Sequence, residues 1–245
     1  MKGLSIRNRK NIDQLKEIPM PEQTRSYYPI AHHELVGYLE DSVPGLLGDE
    51  FSMIDNSFGT ARKDQLLFGM MTFRNESKDM GLSVGYRNSL DRTLSVGIAF
   101  GANVFVCENL MMTGDVFVMS KHTLNVWNNL PSLVKNAVPN AVPVYHSLME
   151  DSEKMKQMPI KRDHGYQILG LMRGRGVLTS QQTSVAFKEF DNPSYKVHKD
   201  GSMMQVYNAC TEALKSHGWP QAAMRSRMHL HNVTKEVIFP HFAKA

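Results

Sequence analysis

The sequence has little cysteine and no long apolar run, and both shortages limit what the protein can be. Its two cysteines, Cys107 and Cys210, lie far apart among apolar or amphipathic neighbours. We therefore expect buried, reduced thiols rather than a disulfide framework or a cysteine-based zinc site. No window approaches the roughly 18 consecutive apolar residues that a membrane helix requires, and the N-terminus lacks the apolar centre of a signal peptide. The sequence thus predicts a cytoplasmic protein.

Net charge is also small, so its distribution is more informative than its sum. The formal net charge is +4 and the isoelectric point is about 9.0, which permits an anionic partner without requiring one. Positive residues gather at Arg7, Arg9 and Lys10, at Lys161, Arg162, Arg173 and Arg175, and at Arg225, Arg227 and Lys235. Solvated surface faces and a nucleic-acid groove both fit this pattern.

The pattern along the chain predicts an α+β fold, in which an antiparallel β-meander of about five strands precedes a mostly helical C-terminal half. Residues 1–29 carry charge and three prolines, which is typical of an N-terminal arm. We expect residues 30–245 to form a single α+β domain, with the sheet within 51–119 and the helices within 121–239. The candidate strands are 51–58, 65–73, 81–86, 93–100, 103–107 and 116–119.

Capping and breaking residues set the predicted helix boundaries. Apolar spacing indicates a helix from Ile30 to Val43, which Pro44-Gly45 should end. Further signals are apolar residues at helical spacing from Trp127 to Val138, N-caps at Thr179 and Ser202, and a first-turn proline at Pro220.

A polar cluster between two predicted strands is the first candidate site. Arg87, Asn88, Ser89 and Asp91 could bind a phosphate through the arginine fork or a base edge through the amide. The same residues could instead satisfy the backbone of a hairpin turn, with Arg87 and Asp91 forming an ion pair across it. Tyr86, beside the cluster, could stack on a base.

Histidine is plentiful, but its spacing predicts neither a metal site nor a catalytic residue. No Asp or Glu lies at a ligand-like spacing from His32-His33 or from His229-x-His231. His122 is expected to open the first long helix, where it could cap the helix or meet an anion. A triad of Ser89, His122 and Asp91 has no G-x-S-x-G elbow to support it. We predict no cofactor.

Glycine-flanked cations give a second candidate. Arg173-Gly-Arg175-Gly would place two cations on a flexible backbone suited to phosphate contacts, although a surface turn between helices fits equally well.

Several segments follow one another in an order that a known family shares. They are Tyr86-Arg87-Asn88-Ser89-x-Asp91, Val106-Cys107-x-Asn109, Lys121-His122-Thr123 and Tyr207-Asn208-Ala-x-Thr211-Glu212. Together they resemble the phage/plasmid-like family of unknown function that is found in phages, plasmids and actinobacterial mobile elements. The resemblance implies a mobile-element origin, an association with DNA metabolism and a location in the host cytoplasm. This chain departs from the family at Leu90-Asp91-Arg92, where members often read His-Asp-Gly.

The leading functional hypothesis is a non-catalytic, homo-oligomeric DNA-binding protein, with single-stranded DNA as the favoured partner in recombination or replication. The broad layout is similar to that of single-strand annealing proteins. The predicted nucleic-acid contacts are Tyr86, Arg87, Asn88, Arg173, Arg175, Arg225 and Arg227. A further polar site could include Ser89, Asp91, Asn109, His122, Asn208, Thr211 and Glu212.

Two other classes stay open. A phage counter-defence or regulatory protein that binds a host protein would need only a Met-rich surface. A nucleotide-acting enzyme would require Asn88, Asp91, Asn109 and His122 to converge on one pocket.

Overall fold

A computed structural model of the protein describes residues 8–76, 80–104, 109–215 and 220–242. Its antiparallel sheet precedes a mostly helical half, so the predicted α+β class is confirmed. The strands pair in chain order as a meander. They are β1 Ser52–Ala61, β2 Leu66–Arg74, β3 Met80–Ser89, β4 Val96–Val104 and β5 Asn109–Ser120.

The strand boundaries differ from the sequence prediction at two places. β3 runs on to Ser89, so Asn88 and Ser89 lie inside a strand and not in the turn where their polarity placed them. Asn109 to Ser120 is one strand, of which the sequence indicated only the end. Of the candidate strand at 103–107, residues 103–104 belong to β4 and the remainder lies outside the described residues.

The helices follow the strands except for two near the N-terminus. They are α1 Ile12–Lys16, α2 His32–Leu47, α3 Val126–Ala137, α4 Ala141–Lys156, α5 Arg162–Gly174, α6 Ser180–Asp191, α7 Met203–Leu214, α8 Pro220–Val233 and α9 Phe239–Phe242. Short 3-10 helices occupy Val138–Asn140 and Lys196–His198, and a π-helix occupies Thr234–Ile238. Thr179 and Ser202 cap α6 and α7 as predicted, with side-chain acceptors for Gln182 N and Met204 N.

The end of α2 corrects the sequence interpretation. The helix passes through Pro44 and ends at Leu47, followed by the cap residue Gly48, whose φ of +76° suits glycine. A proline removes one backbone donor, but here Val43 and Leu47 are buried and fix the last turn against the core. Packing therefore outweighs the breaking tendency of the Pro-Gly pair.

The described part of the N-terminal segment pairs with β1. Thr60 N donates to Asn8 O at 3.1 Å and Lys10 N donates to Phe58 O at 3.2 Å. The short α1 follows, and its Leu15 is only 1% exposed. Residues 8–16 are thus part of the packed structure, where the sequence suggested a loose arm.

The chain divides into two compact units, and the single domain expected from the sequence stays a prediction. The unit that we call the sheet unit holds the described residues of 6–101 and 115–145, and the helical unit holds those of 102–114 and 146–245. Each has its own apolar core. In the sheet unit the core includes Leu35, Leu39, Phe73, Leu82 and Val84, and in the helical unit it includes Leu169, Met172, Ala186, Val206 and Leu230.

A close approach between strands fixes Tyr86 in the sheet unit. Tyr86 is the register partner of Gly69, and a Cβ on Gly69 would lie 2.1 Å from the Tyr86 ring. The ring therefore lies across the glycine, and its hydroxyl donates to Asn56 Oδ1 at 2.8 Å.

Among the described residues, no helix is long and apolar enough to span a membrane.

Candidate functional site

The predicted cluster on β3 is buried. Tyr86 is 3% exposed, Arg87 8%, and Asn88 and Ser89 are completely covered. These side chains have no surface to offer a phosphate backbone or a stacked base. Their polarity serves the interior of the sheet unit instead.

Arg87 is used to hold neighbouring segments together. Its Nε donates to Ser95 O at 3.3 Å, and Nη2 lies 3.3 Å from Met119 Sδ. The ion pair with Asp91 that the sequence suggested is replaced by a pair between Asp91 and Arg62, at 3.3 Å. A buried guanidinium needs such acceptors, because removing it from water without them is unfavourable.

Asn88 connects β3 to the start of α2. Its Nδ2 donates to Ile30 O at 2.7 Å and lies 3.0 Å from His32 Nδ1, while His32 Nε2 lies 3.0 Å from Asp64 O. An amide donor at Nδ1 and a carbonyl at Nε2 select the neutral tautomer that carries its proton on Nε2. Burial is the main reason that the pKa of His32 falls to about 4, against a smaller rise from the Asp64 carbonyl.

Asp91 orders the turn between β3 and β4. Its Oδ1 accepts from Ser89 Oγ at 2.6 Å, from Thr93 N at 3.0 Å and from Thr93 Oγ1 at 2.5 Å. Burial by itself raises the pKa of Asp91, but hydrogen bonds led by those from Ser89 and Thr93 outweigh it and lower the pKa to about 2. Ser89 is completely buried, so its hydroxyl is not accessible to a substrate as a nucleophile would have to be.

His122 is buried against Tyr27, with ring centroids 5.7 Å apart. It precedes the N-cap of α3 at Asn125, so it does not open that helix as the sequence suggested. Within the described part of the chain neither ring nitrogen has a hydrogen-bond partner, and burial lowers the pKa of His122. A Ser89–His122–Asp91 triad is therefore not formed.

The polar residues predicted on the later helix lie in the other unit. Asn208 and Thr211 are buried on α7, where Thr211 Oγ1 donates to Asn208 O at 2.9 Å. Glu212 pairs with Lys215 at 2.6 Å. Asn109 begins β5, and its side chain is outside the described residues. Thr211 thus satisfies a carbonyl of its own helix, and Glu212 forms an ion pair with the residue at its end.

Arg227 is buried close to Tyr207, which belongs to a polar network that sequence reasoning missed. The residue is 1% exposed, and burial lowers its pKa to about 10. Nearby, Tyr207 Oη lies 3.4 Å from His231 Nδ1, and His231 Nε2 lies 3.1 Å from Asp151 Oδ2. The same carboxylate pairs with Lys235 of the π-helix at 3.1 Å. Arg227 is thus interior and is not a surface contact for DNA.

The remaining predicted cations are exposed on the helical unit. Arg173 and Arg175 stand at the end of α5, and Arg225 lies on α8. His229, also exposed, lies one turn after Arg225, and its Nε2 is 2.8 Å from Arg175 O. This contact joins the two segments, and we name the group Arg173, Arg175, Arg225 and His229 the basic face.

The segments that meet at the basic face lack acidic residues. No Asp or Glu occurs between Asp163 and Glu189, nor between Glu212 and Glu236. The positive charge of the basic face therefore has no carboxylate from its own two segments to neutralise it. This charge pattern is the signal in the sequence that could have singled out His229 as a member.

Metal binding has no support from the described residues, which contain no group of three or more His, Cys, Asp or Glu side chains that could hold an ion. Cys210 is buried as predicted, and burial raises the pKa of its thiol to about 12, while Cys107 lies outside the described residues.

Comparison with protein-family profiles, curated proteins and solved structures finds no match for this chain. The resemblance to the phage/plasmid-like family stays a prediction.

Proposed function

We propose that this protein binds nucleic acid through the sugar–phosphate backbone, using the basic face of its helical unit. The observation that carries the proposal is the contact between His229 and Arg175, which brings together two segments free of acidic residues. Phosphate contacts supply most of the affinity of a protein that binds nucleic acid without reading its sequence.

The arginines of the basic face differ in how firmly they are held. Arg173 donates to Leu178 O at 3.4 Å and to Ser180 Oγ at 3.0 Å, which orients its guanidinium before any ligand arrives. Arg175 precedes Gly176, whose φ is +74°, in the turn after α5. The pre-oriented Arg173 guanidinium loses less entropy on binding a phosphate. Arg175, on the turn, can adjust to the position of the next phosphate along the nucleic acid.

We infer single-stranded DNA as the partner and a homo-oligomer as the working form, in line with the resemblance to mobile-element proteins. No catalytic step is part of the proposal. Side chains that could have served one, such as Ser89 and Asp91, are hydrogen-bonded to each other.

The test is a fluorescence-anisotropy titration of nuclease-treated protein with single- and double-stranded oligonucleotides. The Arg175→Gln/Arg225→Gln variant removes two exposed cations of the basic face, and we expect it to weaken binding by about tenfold or more. The matched control is Arg25→Gln/Lys63→Gln, which removes the same charge from exposed positions of the sheet unit.

The control should bind within about twofold of the unmodified protein, because diffuse charge alone contributes little at physiological salt. Equal weakening by both variants would contradict a localised site. If the unmodified protein bound neither oligonucleotide at low salt, the proposal would be wrong.

A further inference from the structure

A cleft of about 480 Å³ opens in the helical unit, near the beginning of α5. The cleft is lined by Ile160, Arg162, Phe190, Asp191, Asn192, Lys199, Gly201 and Gln205. Its volume lies within the roughly 300–1,000 Å³ that is usual for small-molecule sites. Because α5 has 13 residues, the cleft and the basic face are separated by about 18 Å along the helix.

The frame of the cleft is fixed by hydrogen bonds. Ile160 N donates to Gly201 O at 2.8 Å, which pairs two segments across the floor. Gln205, 7% exposed, donates from Nε2 to Phe190 O at 2.7 Å and accepts from Gly201 N at 2.8 Å. The buried amide thus connects the end of α6 to the start of α7, and the shape of the floor does not depend on a ligand.

One wall of the cleft is an ordered guanidinium. Arg162 binds Asp191 through Nε at 3.1 Å and through Nη2 at 3.0 Å, and it stacks on Tyr166 at 5.5 Å. The Tyr166 hydroxyl donates to the same carboxylate at 2.7 Å. The Arg162 side chain is nevertheless 71% exposed, so part of an oriented arginine is available to the cleft.

Two further side chains bring unused hydrogen-bonding groups to the cleft. The Lys199 ammonium and the Asn192 amide are exposed, and neither has a hydrogen-bond partner within the part of the chain that the structure describes. With Arg162 and Lys199 against Asp191, the lining carries an excess of positive charge. The apolar atoms of Ile160 and Phe190 lie beside these groups.

We propose that this cleft binds a nucleoside 5′-phosphate, either free or as the phosphorylated end of a nucleic-acid strand. The Arg162 guanidinium and Lys199 Nζ would contact the phosphate, since a guanidinium and an ammonium are the usual donors to phosphate oxygens. Asn192 would meet the polar edge of the base, whose flat face would cover the apolar floor. This site is separate from the basic face and does not depend on the proposed function.

The test is isothermal titration of the full chain with AMP, adenosine and inorganic phosphate. We expect AMP to bind at least tenfold more tightly than phosphate and adenosine not to bind measurably, because the charge and the base each contribute. Lys199→Gln should weaken AMP binding by about tenfold, as the loss of one charge-assisted hydrogen bond predicts. Lys196→Gln is the control, since Lys196 is equally exposed and does not line the cleft.

Oligonucleotides with and without a 5′-phosphate separate the two sources of ligand. A tighter complex with the phosphorylated strand, lost in Lys199→Gln, assigns the cleft to strand ends; AMP binding without such a preference assigns it to the free nucleotide. AMP that does not bind at millimolar concentration, or that binds equally well to Lys199→Gln and Lys196→Gln, overturns the proposal. The basic-face variants test a different surface, so either proposal can fail alone.

Discussion

His32 is a histidine that the fold keeps neutral. It is 1% exposed, and its two ring nitrogens face Asn88 and the carbonyl of Asp64. A proton on Nδ1 would confront the amide hydrogens of Asn88, so the charged form has neither solvent nor a second acceptor. The low pKa of this one residue therefore links the stability of the sheet unit to pH.

Lowering the pH should destabilise the protein through His32. In the unfolded chain the pKa is near 6.5 and in the folded chain about 4, so the unfolded state binds the proton first as the pH falls. The loss of stability due to His32 therefore develops between about pH 6.5 and pH 4 and does not increase further below pH 4. From pH 8 to pH 5 this residue should reduce the free energy of unfolding by about 2 kcal/mol.

Urea unfolding of the protein and of His32→Gln at both pH values measures the effect. Glutamine can still donate to the Asp64 carbonyl but does not titrate. The free energy of unfolding of the His32→Gln variant should therefore fall by about 2 kcal/mol less than that of the unmodified protein between pH 8 and pH 5. His164→Gln, at an exposed position on α5, is the control. Identical pH dependence in all three proteins would show that His32 is not the group responsible.

The turn between β1 and β2 holds three consecutive residues of the sheet unit in a strained conformation. Arg62, Lys63 and Asp64 follow one another in the left-handed region, with φ of 51°, 54° and 64°. Each such L-residue is disfavoured by roughly 1–2 kcal/mol. Asp64 holds the turn in place, because its carboxylate accepts from Thr60 and Lys10 while its carbonyl faces His32.

Glycine at position 63 should relieve part of this strain. The Lys63 side chain is exposed, so Lys63→Gly and Lys63→Ala remove equivalent contacts and differ only in backbone freedom. We expect the glycine variant to be more stable than the alanine variant by about 0.5–1 kcal/mol, the reverse of their order in a helix. Urea unfolding midpoints compare them, and an alanine variant at least as stable would mean that the turn is unstrained.

Local signals explain which elements the sequence could predict. Thr179 and Ser202 mark the starts of their helices because a cap depends on residues two or three positions away. Asn88 could not be assigned in this way, since its register partner is Leu67 and its acceptor is Ile30, both distant in the chain. Its polarity looked like a turn because nothing nearby revealed that the site is interior.

At the scale of the whole molecule, the basic face also depends on contacts between residues that are distant in the chain. The arginines of the basic face could be predicted as cations, but their grouping depends on a contact between residues 54 positions apart. Arg227 has the same sequence context as Arg225 and is nevertheless buried, because the two occupy different faces of α8. Charge was therefore visible in the sequence, whereas exposure was not.

The salt dependence of binding reports how many cations of the whole molecule engage the ligand. Three arginines of the basic face on single-stranded DNA should give a slope of about −2 for log affinity against log salt. In Arg175→Gln/Arg225→Gln the slope should fall to about −0.7, because one phosphate contact remains. Anisotropy titrations at four salt concentrations measure both slopes, and a slope that the variant leaves unchanged would place the contacts elsewhere.

The two units are interleaved along the chain, since the described residues of 102–114 group with the helical unit while 115–145 return to the sheet unit. No single cut in the gene separates them. A fragment that starts at residue 146 leaves behind a segment of the helical unit, and one that starts at residue 102 carries a piece of the sheet unit with it. Isolating the part that bears the basic face requires two fragments expressed together, or a rearranged gene that joins 102–114 directly to the later helices.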